Sequence, residues 1–145
     1  SPDGQKVAYA VSKDDGWALS VNGVTVPAFD SLSDVVFSPD SEHFAYTGRK
    51  EAKEFVVIDH EIGPGFDLTF DPNAFSPDSR FFIYKARRDG RDLMMINDWA
   101  SQLYDEIYKV SFAPDYSQAF IFARRDEEIR RMSIELDEEK VSKKN

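Results

Sequence analysis

Four near-copies of one tetrapeptide recur along the 145-residue chain: Ser1-Pro2-Asp3-Gly4, Ser38-Pro39-Asp40-Ser41, Ser76-Pro77-Asp78-Ser79 and Ala113-Pro114-Asp115-Tyr116. Their starts at positions 1, 38, 76 and 113 set a fixed period, and a period of about 20–50 residues is the mark of a repeat architecture. Each period is then a small unit that cannot bury its apolar faces alone and has to stack on its neighbours.

Within a period the residues read as four short strands. Asp34–Phe37, Asn73–Phe75 and Lys109–Phe112 form a first strand that ends on Phe37, Phe75 or Phe112. Proline then holds φ near −65°, and the aspartates Asp3, Asp40, Asp78 and Asp115 can accept backbone N–H groups, so the tetrapeptide reads as a chain reversal. A second strand follows at Lys6–Ala10, His43–Thr47, Arg80–Tyr84 and Gln118–Phe122, rich in the aromatic and branched residues that suit a pleated sheet. Charged hairpins at Ser12–Gly16, Arg49–Glu54, Arg87–Asp92 and Arg124–Glu128 lead to a third strand at Trp17–Val21, Phe55–Ile58, Leu93–Ile96 and Ile129–Ile134. The middle two are apolar at consecutive positions, which predicts burial on both faces. Asn22-Gly23, Asp59-His60 and Asn97-Asp98 sit at one offset and predict the next hairpin. A fourth strand carries the pairs Phe29-Asp30, Phe66-Asp67 and Tyr104-Asp105.

Four antiparallel strands per period of about 40 residues is the pattern of a β-propeller blade. The fold class is therefore all-β, with about four repeats at 1–37, 38–75, 76–112 and 113–136, incomplete first and last blades, and a polar, frayed C-terminal tail at 137–145. Helical solenoids of similar period are excluded by the hairpin turns and by the lack of a 3.6-residue stripe. Phe37-Ser38-Pro39-Asp40-Ser41 with Ala45-Tyr46, and Phe75-Ser76-Pro77-Asp78-Ser79 with Ile83-Tyr84, resemble the WD40-like propeller repeats of the TolB type. The resemblance runs from Ser1 to Leu136 and implies a propeller fold. It leaves function open, because such repeats occur in scaffolds, in periplasmic translocation proteins and as domains attached to peptidases. Counting three strands, two full blades and three strands, the expectation is half of a larger ring or a segment of a longer polypeptide. Self-association into a homodimer of about eight blades is one way to complete such a ring.

Composition narrows the partners. A formal net charge of −9 argues against a general affinity for nucleic acid or anionic membranes, and no apolar run is long enough to span a bilayer. The absence of cysteine removes disulfide and thiolate chemistry without choosing a compartment. No signal peptide is visible, and localisation stays unassigned; the family resemblance permits the periplasm.

Basic pairs recur at one hairpin offset, Arg49-Lys50, Arg87-Arg88 and Arg124-Arg125. They read either as a positive arc that receives an acidic peptide or phosphate, or as solvated ion pairs with the acids of the same hairpins. The aspartates of the tetrapeptides fall in separate repeats, whereas acid–base catalysis needs groups that converge on one substrate atom; their expected role is to hold turns. Asp30, Asp67 and Asp105 are expected to accept turn N–H groups that link one blade to the next. His43 and His60 have no metal-ligand spacing, no nucleophile elbow is present, and Gly63-Pro64-Gly65 does not make a phosphate loop. Neither catalysis, metal nor cofactor is expected. The functional expectation is a binding or scaffolding module for a protein or peptide, with the propeller portion of a larger enzyme, such as a prolyl-oligopeptidase-like peptidase, as the alternative.

Overall fold

The computed structural model describes residues 1–26, 28–33 and 35–137, of which 71–73 by backbone alone. Asp34, the expected start of a first strand, and the polar tail from position 138 lie outside the described residues. The chain divides into two compact units, Ser1–Thr69 and the residues from Phe70 onward.

In the first unit β1 (Ala8–Lys13), β2 (Gly16–Val21) and β3 (Val24–Thr25) form one antiparallel sheet in that order. A second sheet holds β4 (Ser31–Leu32) and β5 (Val36–Phe37), which both pair with β6 (Phe44–Lys50), followed by β7 (Lys53–Ile58) and β8 (Glu61–Phe66). A third sheet runs β9 (Leu68–Phe75), β10 (Phe82–Arg88), β11 (Arg91–Ile96) and β12 (Trp99–Ala100). The fourth, in the second unit, consists of β13 (Glu106–Phe112), β14 (Gln118–Arg125) and β15 (Glu128–Glu135). The described strands pair antiparallel, and no helix occurs among the described residues.

The tetrapeptide is a turn of one geometry, used four times. Ser41 N–H donates to the Ser38 carbonyl at 2.9 Å, as do Gly4 to Ser1 at 3.0 Å, Ser79 to Ser76 at 2.8 Å and Tyr116 to Ala113 at 2.9 Å. The fourth residue is left-handed in every copy, at φ 73° for Gly4, 67° for Ser41, 63° for Ser79 and 55° for Tyr116. Glycine adopts that conformation at no steric cost, which accounts for Gly4, while Ser41, Ser79 and Tyr116 each carry the cost of a side chain in that region. The hairpins after the second strand turn through Glu51-Ala52 and Asp126-Glu127, both residues at positive φ, the type I′ geometry that matches strand twist.

Two differences from the sequence reading concern strand limits. The first strands are longer than expected in β9 and β13, and broken into β4 and β5 in the second sheet. The aromatic–aspartate pair ends the outer strand instead of lying within it. Phe29 and Tyr104 make single bridges to Trp17 and Asp92, and Asp30 and Asp105 are already past the last bridge. The outer strands β3 and β12 are two residues each because the chain leaves the sheet there to reach the next one, whereas β8 runs six.

The core of each unit lies between its sheets. In the first, Leu19, Val21 and Phe29 meet Phe44, Tyr46 and Val57. In the second, Ile83, Met94 and Ile96 meet Ile107, Ala119 and Ile121. Leu93–Ile96 is buried at every position, as its unbroken apolar run predicts. Each fully buried large side chain contributes on the order of 1.5–3 kcal/mol, against about 1 kcal/mol for a turn hydrogen bond. Packing between sheets therefore dominates stability, and the turns set the register in which it happens.

Candidate functional site

The repeated aspartates are bound up in their own turns. Ser38 Oγ donates to Asp40 Oδ1 at 2.5 Å, and the same oxygen accepts the Glu42 N–H at 3.0 Å, while His43 N–H donates to Ser38 Oγ at 2.9 Å. Ser1 with Asp3 and Ser76 with Asp78 repeat this bracket. In the last copy Ala113 supplies no hydroxyl, and Asp115 instead accepts from Ser117 N at 3.0 Å and Ser117 Oγ at 2.7 Å. The Ser1 hydroxyl, the Gln5 N–H and the Ser41 hydroxyl hold the Asp3 carboxyl below its ordinary value, and Ser117 does the same for Asp115. For Asp78, burial works in the raising direction but is outweighed by Ser76 and Arg80.

A second set of carboxylates ties sheets together. Asp30 Oδ2 accepts the Glu51 N–H at 3.1 Å and Asp105 Oδ2 accepts the Asp126 N–H at 3.0 Å, each in the hairpin of the following sheet. Asp67 forms an ion pair with Lys53. At another shared offset Glu54 Oε2 accepts from Thr69 N at 2.6 Å and Asp92 Oδ2 from Ile107 N at 3.1 Å. The sequence signal for this role was an acid at one place in two repeats, where the other repeats have Trp17 and Ile129.

The six basic hairpin residues do not form one site within either unit. Arg49 is exposed at the end of β6, and Lys50 Nζ reaches the Ala28 carbonyl at 3.4 Å. Arg87 Nε donates to Asp92 Oδ1 at 2.8 Å, and Arg88, half-buried, stands opposite Arg91 in the β10–β11 register. Arg124 lies 3.8 Å from Glu106, and Arg125 lies 3.6 Å from Asp126 and bonds Gln102. The Arg87 pair departs from the solvated reading, because its acid is 0% exposed. His43 Nδ1 meets Asp59 Oδ2 at 2.5 Å, and the exposed His60 packs against the Phe44 ring.

What the sequence did not disclose is a cavity of about 280 Å³ within the second unit. Its wall includes Phe70 and Phe75 from β9, Ile83 from β10, Met94 from β11 and Val110 from β13. Lys85 and Lys109 also line it. Lys85 Nζ lies 3.5 Å from Asp92 Oδ2 and 4.0 Å from the centre of the Phe70 ring, with Arg87 5.1 Å above that ring. Beside the cavity Tyr108 is 51% exposed. The β13–β14 register shifts between Ile107 and Lys109, and a bulge of this kind re-aims side chains. Four consecutive residues, Ile107 to Val110, line the cavity: Ile107 and Val110 stand opposite the buried Ala123 and Ile121, while Tyr108 and Lys109 are exposed.

No protein-family model matches the chain, and no curated protein matches it. Among solved structures, the crystal structure of TolB from Acinetobacter baumannii is similar at a TM-score of 0.49 and 14% sequence identity, over 90% of this chain and 39% of that one. The chain thus spans well under half the length of that structure.

Proposed function

We propose that this chain is a non-catalytic module built of β-propeller-type blades, and that it binds a protein or peptide. The single observation that carries the reading is the open apolar cavity of the second unit, with exposed Tyr108 at its side and Lys109 on its wall. Exposed aromatics and apolar pockets are where association free energy concentrates, because a rigid ring supplies contact area at small entropic cost. The recurring acidic residues have a mechanical use here: Asp3, Asp40, Asp78 and Asp115 bind the backbone of their turns, and Asp30, Asp105, Glu54 and Asp92 bind that of the next sheet. Arg49, exposed at the end of β6, is a secondary contact for acidic residues of a partner.

The experiment is selection of displayed peptides on the 145-residue chain, followed by calorimetry with the synthetic winners. Affinity that falls at least tenfold in Tyr108→Ala supports the reading. Selected peptides indifferent to Tyr108→Ala, or the absence of any selected peptide, overturn it.

A further inference from the structure

We propose that the cavity of the second unit captures the free C-terminal end of a peptide whose last residue is apolar, its side chain entering the cavity and its carboxylate meeting Lys109 and Lys85. The inference rests on the peptide-binding reading above and adds the chemistry that the site selects.

Size comes first. At about 280 Å³ the cavity is just below the range of about 300–1,000 Å³ typical of pockets that enclose whole small ligands. It suits one or two side chains, with the rest of the ligand outside, where the exposed Tyr108 ring offers a surface for the preceding residues. Charge comes second. Lys85, Arg87 and Lys109 stand around this region, and Lys85 and Arg87 share the single carboxylate of Asp92. The nearby Glu106 lies 3.8 Å from Arg124 and also acts on Arg87, which leaves the described cations Lys85, Arg87, Lys109 and Arg124 in excess over Asp92 and Glu106. Lys109 is exposed and has no hydrogen-bond or ion-pair partner among the described residues. Among the described side chains the site therefore carries surplus positive charge next to an apolar wall, in a chain whose net charge is −9. Charge-assisted bonds to a carboxylate are the natural complement. Geometry comes third. Ile107, Tyr108, Lys109 and Val110 all line the cavity, the bulge setting exposed Tyr108 and Lys109 between buried Ile107 and half-buried Val110, so apolar wall and cationic residue are neighbours in the chain. A C-terminal residue matches that spacing, since its side chain and its carboxylate diverge from one Cα. An acidic side chain inside a peptide would present the charge without the apolar group.

The test uses an array of acetylated tetrapeptides ending in each apolar residue, prepared as free acids and as C-terminal amides, with 4-phenylbutyrate as a free small acid. Binding to the 145-residue chain is followed by calorimetry. The expected result is binding of acids ending in an apolar residue, with the matching amides at least tenfold weaker. Lys109→Met should remove that preference, and Ala74→Trp, at an exposed position on the cavity wall, should abolish binding with the melting temperature unchanged. Acid and amide binding equally well would overturn the capture of a chain end, while continued dependence on Tyr108 would leave the peptide-binding reading standing. A 4-phenylbutyrate affinity equal to that of the peptide acids would also overturn it, since the occupant would then be a small molecule. Binding that survives Ala74→Trp would place the peptide elsewhere and overturn the assignment of the cavity.

Discussion

The Asp92 carboxylate, 0% exposed, accepts the backbone N–H of Ile107 at 3.1 Å and so joins the third sheet to the first strand of the fourth. Its other oxygen takes the Arg87 Nε–H at 2.8 Å. One side chain thus satisfies a buried amide that sheet pairing leaves without a partner and holds two cations in place.

Asp92→Asn should lower stability at pH 7 by about 2–3 kcal/mol, somewhat below the cost of breaking a fully buried pair, because Lys85 and Arg87 still reach solvent. Burial pushes the Asp92 carboxyl up, but Arg87, the Ile107 N–H and Lys85 outweigh it and hold the group below its ordinary value of 3.8. A carboxyl lowered on folding adds stability above its unfolded pKa, and that stability is lost as pH falls through the folded value, a window that runs downward from about pH 5. Urea unfolding at pH 7, 5 and 3 should therefore show the gap between parent and variant closing as the pH drops; a constant gap would mean that Asp92 is not the titrating group.

The turn bracket makes a comparison inside one molecule. Asp40→Ala removes the acceptor for Ser38 Oγ and the Glu42 N–H and should cost on the order of 1 kcal/mol. The last repeat lacks the hydroxyl, yet its backbone keeps the same frame, with Ala113 N–H donating to the Gln118 carbonyl at 2.9 Å. Ala113→Ser should consequently stabilise by about 1 kcal/mol, as the new Oγ reaches Asp115 and accepts the Gln118 N–H. Thermal unfolding of both variants checks the pair, and an unchanged midpoint in either removes the bracket as a source of stability.

Tyr46 is 3% exposed, and its hydroxyl has no hydrogen-bond partner among the described residues. Leaving a buried hydroxyl unpaired costs about 1–3 kcal/mol, so Tyr46→Phe should raise stability by roughly 1 kcal/mol. Burial also pushes the Tyr46 phenol up to about 12 from 10.0. A group that binds its proton more tightly when folded contributes stability that is complete below the unfolded pKa and is lost as pH rises toward the folded one. Between pH 10 and 12 the parent should lose stability faster than Tyr46→Phe. Parallel curves over that interval would show the phenol to be solvated.

Phe29 lies flat on the backbone of Gly48 in the following sheet: a Cβ at Gly48 would fall 2.5 Å from Phe29 Cγ. Ring and backbone cannot both stay, since Phe29 is also held edge-on by Tyr46 at 6.3 Å between ring centroids. Gly48→Ala should destabilise by about 1–3 kcal/mol, the usual range for overpacking. Pairing it with Phe29→Leu should recover part of the loss, which a double-mutant cycle by urea unfolding measures. Additive losses would show that the two positions do not touch.

The turns, the hairpins and the presence of the second and third strands were legible in the sequence, because proline geometry, left-handed turn residues and apolar runs act over a few neighbouring positions. The second strands run on into the charged hairpins by three to four residues, because two-residue turns let the ladder continue to the tip. The links made by Asp30 and Asp105 were legible too, once the period aligned them. Asp92 was only partly so: it reads as one more hairpin acid beside Arg87, and nothing local marks it as buried. The shortened outer strands were not legible, since where a strand stops depends on where the chain crosses to the next sheet.

By itself the sequence determined a repeating all-β unit and the turns that punctuate it, since those follow from backbone preferences spanning four to eight residues. Tertiary structure alone decided that Tyr108 and Lys109 flank a cavity, that Lys85 and Arg87 share Asp92, and that Tyr46 buries an unpaired hydroxyl. Each of these depends on which side chains arrive from other strands, and in β13 on one extra residue that sets exposed Tyr108 and Lys109 between buried Ile107 and half-buried Val110.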